Sequence, residues 1–124
     1  MRVLITQGSL HRLSGSEVVT YELAEHFSHS GAEVAVATHS FNGMWHQRLT
    51  SLPGVRLFGV SEDALEDEFT DSAPDVAWIH HSVVPQWMLT RRPERVVFHH
   101  MSTFHPLEFP LNRRIEQSLG SVAV

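Results

Sequence analysis

Apolar positions along the chain alternate between short continuous runs and wider, helix-like spacing. "RVLIT" at 2–6 is an unbroken apolar run rich in β-branched side chains, which reads as a buried strand. A polar, glycine-punctuated stretch follows, and then Val19, Leu23 and Phe27 recur every four residues while Glu22, Glu25, His26 and His29 take the other faces. That spacing predicts a helix with one core face. Ser14 followed by Glu17 fits a capping box, and Gly31 supplies the stop.

Four more strands read out the same way, at "AEVAVATH", "VRLFGV", "DVAWIHH" and "RVVFHH". Between them, "SFNGMWHQRLTSLPG" is polar and carries the turn pairs Asn42-Gly43 and Pro53-Gly54. "SEDALEDEFTDSAP" predicts a short helix capped by Ser61, its six carboxylates a solvated face, and "SVVPQWMLTRR" a short helix or turn. A helix is expected around "FPLNRRIEQSL", and "SVAV" begins a sixth strand. Strands alternating with helices at this pitch predict one α/β domain over 1–124: a doubly wound, Rossmann-like parallel sheet with helices on both faces. Ligands of such sheets bind outside the carboxyl ends of the strands, so the residues that follow each strand carry the interest.

Composition then removes whole classes of chemistry. Cys and Lys are both absent, and all nine basic residues are Arg. Disulfides, thiolate metal sites, cysteine nucleophiles, lysine Schiff bases and the Walker lysine are excluded together. A net charge of −5 speaks against nucleic acid as a principal partner, and also against a membrane-surface role for Arg91, Arg92, Arg95, Arg113 and Arg114. No apolar run approaches the ~20 residues of a membrane-spanning helix. "RVLIT" is too short for the apolar region of a signal peptide, so the expected location is cytoplasmic.

Histidine is the excess, with ten in the chain, and His39, His80, His81, His99, His100 and His105 all fall near the predicted carboxyl edge. Adjacent histidines on a strand point to opposite faces and no HxH or HExxH spacing occurs, so no metal site is expected. Gly8-Ser9-Leu10 lacks the second glycine of a dinucleotide loop, and His39 stands where a ribose-binding acid would be. No GxSxG is present for a serine hydrolase. No cofactor is expected.

Several segments together resemble the N-terminal domain of retaining GT-B glycosyltransferases of the family 4 type. They are Ser14-Gly15-Ser16-Glu17 after the first strand, Gly31-Ala32-Glu33-Val34, Pro74-Asp75-Val76, "VVFHH" and "IEQSLGSVAV", and the resemblance runs over nearly the whole chain. Ser14 stands where the family has the first glycine of a pair. The resemblance implies transfer of a sugar from a nucleotide-sugar donor to an acceptor with retention. It implies that the chain is the acceptor-side domain, inactive alone, with the C-terminal donor domain absent. By the same resemblance, Ser14, Gly15 and Ser16 would face the donor phosphates, His100 or His99 would contact the transferred sugar, and His11, Trp45 and His80 would lie at the acceptor. Two alternatives from other classes are a stand-alone binding or regulatory domain and a histidine-rich, metal-dependent hydrolase.

Overall fold

Val3, Leu4 and Ile5 are all fully buried, although successive side chains of a strand point to opposite sides, so the strand that holds them must be covered on both faces. The computed structural model describes residues 1–99 and 122–123. In it, β1 (Arg2–Leu10) lies at the centre of an all-parallel sheet with β2 (Glu33–Phe41), β3 (Val55–Gly59), β4 (Val76–His80), β5 (Arg95–His99) and the two-residue β6 (Val122–Ala123). Their order is β3-β2-β1-β4-β5-β6. This is the doubly wound, Rossmann-like arrangement expected from the alternation of elements.

One face of the sheet, with Val3, Ile5, Val34 and Val36, packs on α1 (Gly15–His29) and α2 (Gly43–Thr50) through Ala24, Trp45 and Leu49. The other face, with Leu4, Ala35, Ala77, Ile79 and Phe98, packs on Leu65 of α3 (Asp63–Glu68), on Phe69, and on Met88 of the 3-10 turn Gln86–Leu89. Each large aliphatic side chain so enclosed contributes about 1.5–3 kcal/mol relative to exposure. Among the described residues, no helix is long and apolar enough to cross a membrane.

Three local expectations need correction. The most buried stripe of α1 is Glu17, Thr20, Ala24 and Ser28, with Leu23 and Phe27 only half-buried beside it. Small side chains bring this helix close to the sheet, and the larger apolar ones splay along its flanks. Asn42 opens no turn; it caps α2 by accepting the Trp45 N–H at 3.0 Å, and Trp45 and Leu49, four apart, point into the core. In α3 the N-cap is Glu62, not Ser61, and its side chain makes no capping bond. The expected helix near "FPLNRRIEQSL" and residues His100, His105, Arg113 and Arg114 lie outside the described residues.

Gly31 stops α1 as expected, at φ 84°. The Ala32 N–H reaches the Phe27 carbonyl and the Gly31 N–H that of Ser28, both at 3.0 Å, which is the paired bonding of a Schellman ending. At the amino edge of the sheet, Asp75 accepts the Arg2 backbone N–H at 2.7 Å, and the Arg2 guanidinium lies 4.8 Å from the centre of the Phe69 ring. Asp75 thereby fastens the start of β4 to the start of β1.

Candidate functional site

The direction of winding reverses between β1 and β4, the two strands that split the chain order, and a crevice opens at their carboxyl ends. Its walls are Gln7, Gly8, Ser9, His11, Arg12, Ser14, Ser16, Glu17 and His81, around a hollow of about 460 Å³. This volume is in the range of small-molecule sites.

The loop between β1 and α1 is held from both sides. Glu17, almost fully buried, accepts the N–H groups of His11 (2.6 Å) and Arg12 (2.7 Å) and the Ser14 hydroxyl (2.6 Å), and reaches the Ser14 N–H at 3.4 Å. The carbonyls of the same two residues are also tied. Asn42 Nδ2 donates to the His11 carbonyl at 3.2 Å and Trp45 Nε1 to the Arg12 carbonyl at 3.0 Å. Burial alone would raise the Glu17 pKa, but the hydrogen bonds from Ser14, Arg12 and His11 outweigh it and hold the carboxyl below its ordinary value. The capping box read in the sequence is therefore present, and it is also the anchor of the crevice loop.

Trp45 is only 1% exposed and His80 is fully buried. Neither can touch an acceptor: Trp45 is consumed by the core and the Arg12 carbonyl, His80 by the interior under α1. His11 is exposed and pairs with the Ser40 hydroxyl at 2.8 Å. Ser14 and Gly15 are exposed and Ser16 half-buried at the start of α1, where a side chain added at Gly15 would meet nothing within 4 Å. The first helical N–H groups there have no acceptor within the helix, as at any helix start. His99 is half-buried on the α1 side of the sheet, beside Trp78 and His80, and His39 is exposed at the end of β2. His100, offered with His99 as the sugar-contacting residue, lies outside the described residues.

After β4 the backbone turns through two consecutive left-handed residues that are not glycine, His81 at φ 54° and Ser82 at φ 56°. Such conformations cost on the order of 1–3 kcal/mol each and persist where the surroundings hold them. Here the Gly8 N–H donates to His81 Nδ1 at 3.3 Å. A ring nitrogen that accepts leaves the proton of neutral imidazole on the other one, so His81 offers Nε2–H as a donor at the crevice. A Cβ at Gly8 would lie 3.2 Å from that Nδ1, so glycine admits the close approach.

Beneath the crevice runs a buried polar row. Gln7 contacts the Ser16 hydroxyl (3.2 Å) and Thr20 (3.0 Å), Thr20 contacts His80 Nδ1 (3.1 Å), His80 Nε2 contacts His99 Nδ1 (3.2 Å), and Trp78 Nε1 donates to that same His99 nitrogen (3.3 Å). Burial first, and then the neighbouring His99 and His81, lower the His80 pKa to about 3, against a weak opposite pull from the Thr6 backbone. His80 is neutral at physiological pH. No cluster of side chains able to hold a metal ion occurs among the described residues.

Sequence reasoning did not single out Gln7, Arg12, Thr20 or Trp78. Gln7 carried a signal, being polar at the end of an apolar strand run; Thr20 carried none, because its partner His80 is 60 positions away. Comparison of the chain with known protein families, with curated proteins and with solved structures found no match.

Proposed function

We propose that this chain is the acceptor-side domain of a retaining GT-B glycosyltransferase, and that the crevice between β1 and β4 receives the diphosphate of a nucleotide-sugar donor. The observation that carries the reading is the meeting of three anion-favouring elements around one hollow: the start of α1 at Ser14 and Ser16, the arginine Arg12, and His81, whose Nδ1 is taken by the Gly8 N–H. A helix start favours phosphate through its free N–H groups and dipole, and arginine matches phosphate geometry with paired donors. Among the described residues Arg12 makes no ion pair, so its charge is available.

Transfer with retention requires stabilisation of a cationic sugar centre and of the departing diphosphate. In this reading the chain contributes preorganised donors and no nucleophile. Pinning of the crevice loop through Glu17, Asn42 and Trp45 supplies the preorganisation. A second domain would complete the donor site, and the chain alone, with few contacts to offset the entropy of fixing a ligand, would bind weakly and transfer nothing.

The test is titration of the labelled chain with millimolar nucleotide-diphosphate sugars, followed by amide NMR, together with sugar-transfer assays on the uninterrupted gene product. Perturbation centred on Gly15, Ser16 and Gly8, and weakened by Arg12→Ala, is expected. Absence of any perturbation at the crevice, or no transfer by the whole gene product with any nucleotide sugar, refutes the proposal. Crevice binding of nucleotide sugars without transfer by the whole product would instead favour the stand-alone binding domain.

A further inference from the structure

Two ring nitrogens, Trp78 Nε1 and His80 Nε2, converge on His99 Nδ1, and their protons constrain its own. Trp78 Nε1 is a donor only, so at 3.3 Å it requires His99 Nδ1 to accept. His80 Nε2, 3.2 Å from the same atom, must then carry a proton as well, or two lone pairs would face each other, so the two N–H groups share the one Nδ1 lone pair in a three-centre bond. With His80 neutral, its Nδ1 becomes an acceptor, and the hydroxyl of Thr20 at 3.1 Å must donate to it.

That leaves Thr20 Oγ1 to accept from Gln7, which it does if the Gln7 amide presents its NH₂ to Thr20 and its carbonyl oxygen to the Ser16 hydroxyl. The two ends of an amide have the same shape, so the network decides which way it lies. The opposite arrangement, with Thr20 donating to Gln7 and Gln7 Nε2 donating to the Ser16 hydroxyl, adds only a marginal 3.5 Å contact from Gln7 to the Ser9 carbonyl. It forces the proton of His99 onto Nδ1 and sets it against the Trp78 N–H, which then has no acceptor. An orphaned, part-buried donor costs more than a 3.5 Å hydrogen bond returns.

We infer that Trp78 and His80 are positioning residues that hold the His99 imidazole with its proton on Nε2, so that the carboxyl end of β5 offers a hydrogen-bond donor and not an acceptor. The order is directional: Gln7 donates to Thr20, Thr20 to His80, His80 to His99. A donor fixed in this way selects an oxygen acceptor, a hydroxyl of the transferred sugar; this last step rests on the function proposed above and not on the crevice, whose walls do not include His99. Trp78 and His80 need not touch the ligand at all.

The experiment is long-range nitrogen–proton NMR of the uniformly labelled chain at mildly basic pH, which reads the tautomer of each imidazole without any ligand. Wild type is expected to show both His99 and His80 with the proton on Nε2, the favoured form of His99 exceeding the other by about tenfold or more. Trp78→Phe keeps an aromatic ring but removes the donor, and Thr20→Val keeps the volume but removes the hydroxyl. Each is expected to convert the single tautomer, of His99 and of His80 respectively, into a mixture. A proton on His99 Nδ1 in wild type overturns the inference, as do single Nε2–H tautomers surviving in both folded variants. If a variant does not fold, the wild-type tautomers decide alone. Failure here leaves the proposed donor site standing, and failure of donor binding leaves the tautomer result standing.

Discussion

Replacing Glu17 by Gln removes a charge while changing almost no volume, at the side chain that accepts the N–H groups of the crevice loop. The amide oxygen of Gln can occupy the position of Oε2 and keep the His11 and Arg12 N–H groups, now at 2.6 and 2.7 Å from a neutral acceptor. A hydrogen bond to a charged group contributes about 1.5–3 kcal/mol and a neutral one about 0.5–1.5, so the two bonds together lose about 2 kcal/mol. The Gln NH₂ meanwhile faces the Ser14 N–H, donor against donor, where Oε1 now accepts at 3.4 Å. In a domain of this size the loss corresponds to a Tm lower by about 8 °C. The sign with pH follows from linkage. Glu17 has a lowered pKa when folded, so its stabilisation is complete above the ordinary carboxylate value and is lost as pH falls through the folded value. Urea melts of wild type and Glu17→Gln should therefore differ most near neutrality and converge in acid. Hydrogen exchange should speed up at the His11 and Arg12 amides before anywhere else. A difference below about 0.5 kcal/mol at neutral pH, or one that persists unchanged into acid, refutes the reasoning.

Two further outcomes are expected. Because His80 is held neutral with a pKa of about 3 against 6.5 when unfolded, the unfolded chain takes up a proton through that window and the folded chain does not. The His80 contribution to stability should fall by about 1.4 kcal/mol per pH unit as pH drops from about 6 toward 3, and His80→Gln should flatten this part of the curve in chemical melts. Trp45→Phe removes the donor to the Arg12 carbonyl and part of a fully packed ring, so it should cost about 1–3 kcal/mol in chemical melts and, by loosening one of the three pins of the crevice loop, weaken binding there in step with that loss. A large loss of affinity without loss of stability would return Trp45 to the ligand.

Much of the architecture is legible in the residues because a strand buried on both faces leaves a continuous apolar run, as in "RVLIT" and "AEVAVATH", and because Gly31 can only be a stop there. The helix α2 is hidden by its shortness, since eight residues with only Trp45 and Leu49 turned inward give too few periods to distinguish from a polar turn. The crevice is legible in outline: doubly wound sheets put ligands at strand ends, and Ser14 to Glu17 stands at one. The interior beneath it is not. His80 looks like any strand-end histidine until Thr20 from α1 and His99 from β5, 60 and 19 positions away, are folded onto it. The resemblance places Trp45 at the acceptor, and only its enclosure, with the Arg12 carbonyl at its indole nitrogen, returns it to the core.

The central position of β1 also fixes a timetable. Val3 pairs with Val34 on one side and Val76 on the other, 31 and 73 positions later in synthesis. At roughly 5–20 residues per second, the second partner is made about 4–15 s after the strand itself. Throughout that interval three adjacent aliphatic side chains, Val3, Leu4 and Ile5, lack the neighbour that completes their enclosure, and one row of backbone donors and acceptors stays open to any passing strand. The nascent chain is most exposed to mispairing while β4 is still being translated, so slow codons between residues 34 and 76 would lengthen the hazard and chaperone contact over the same stretch would relieve it.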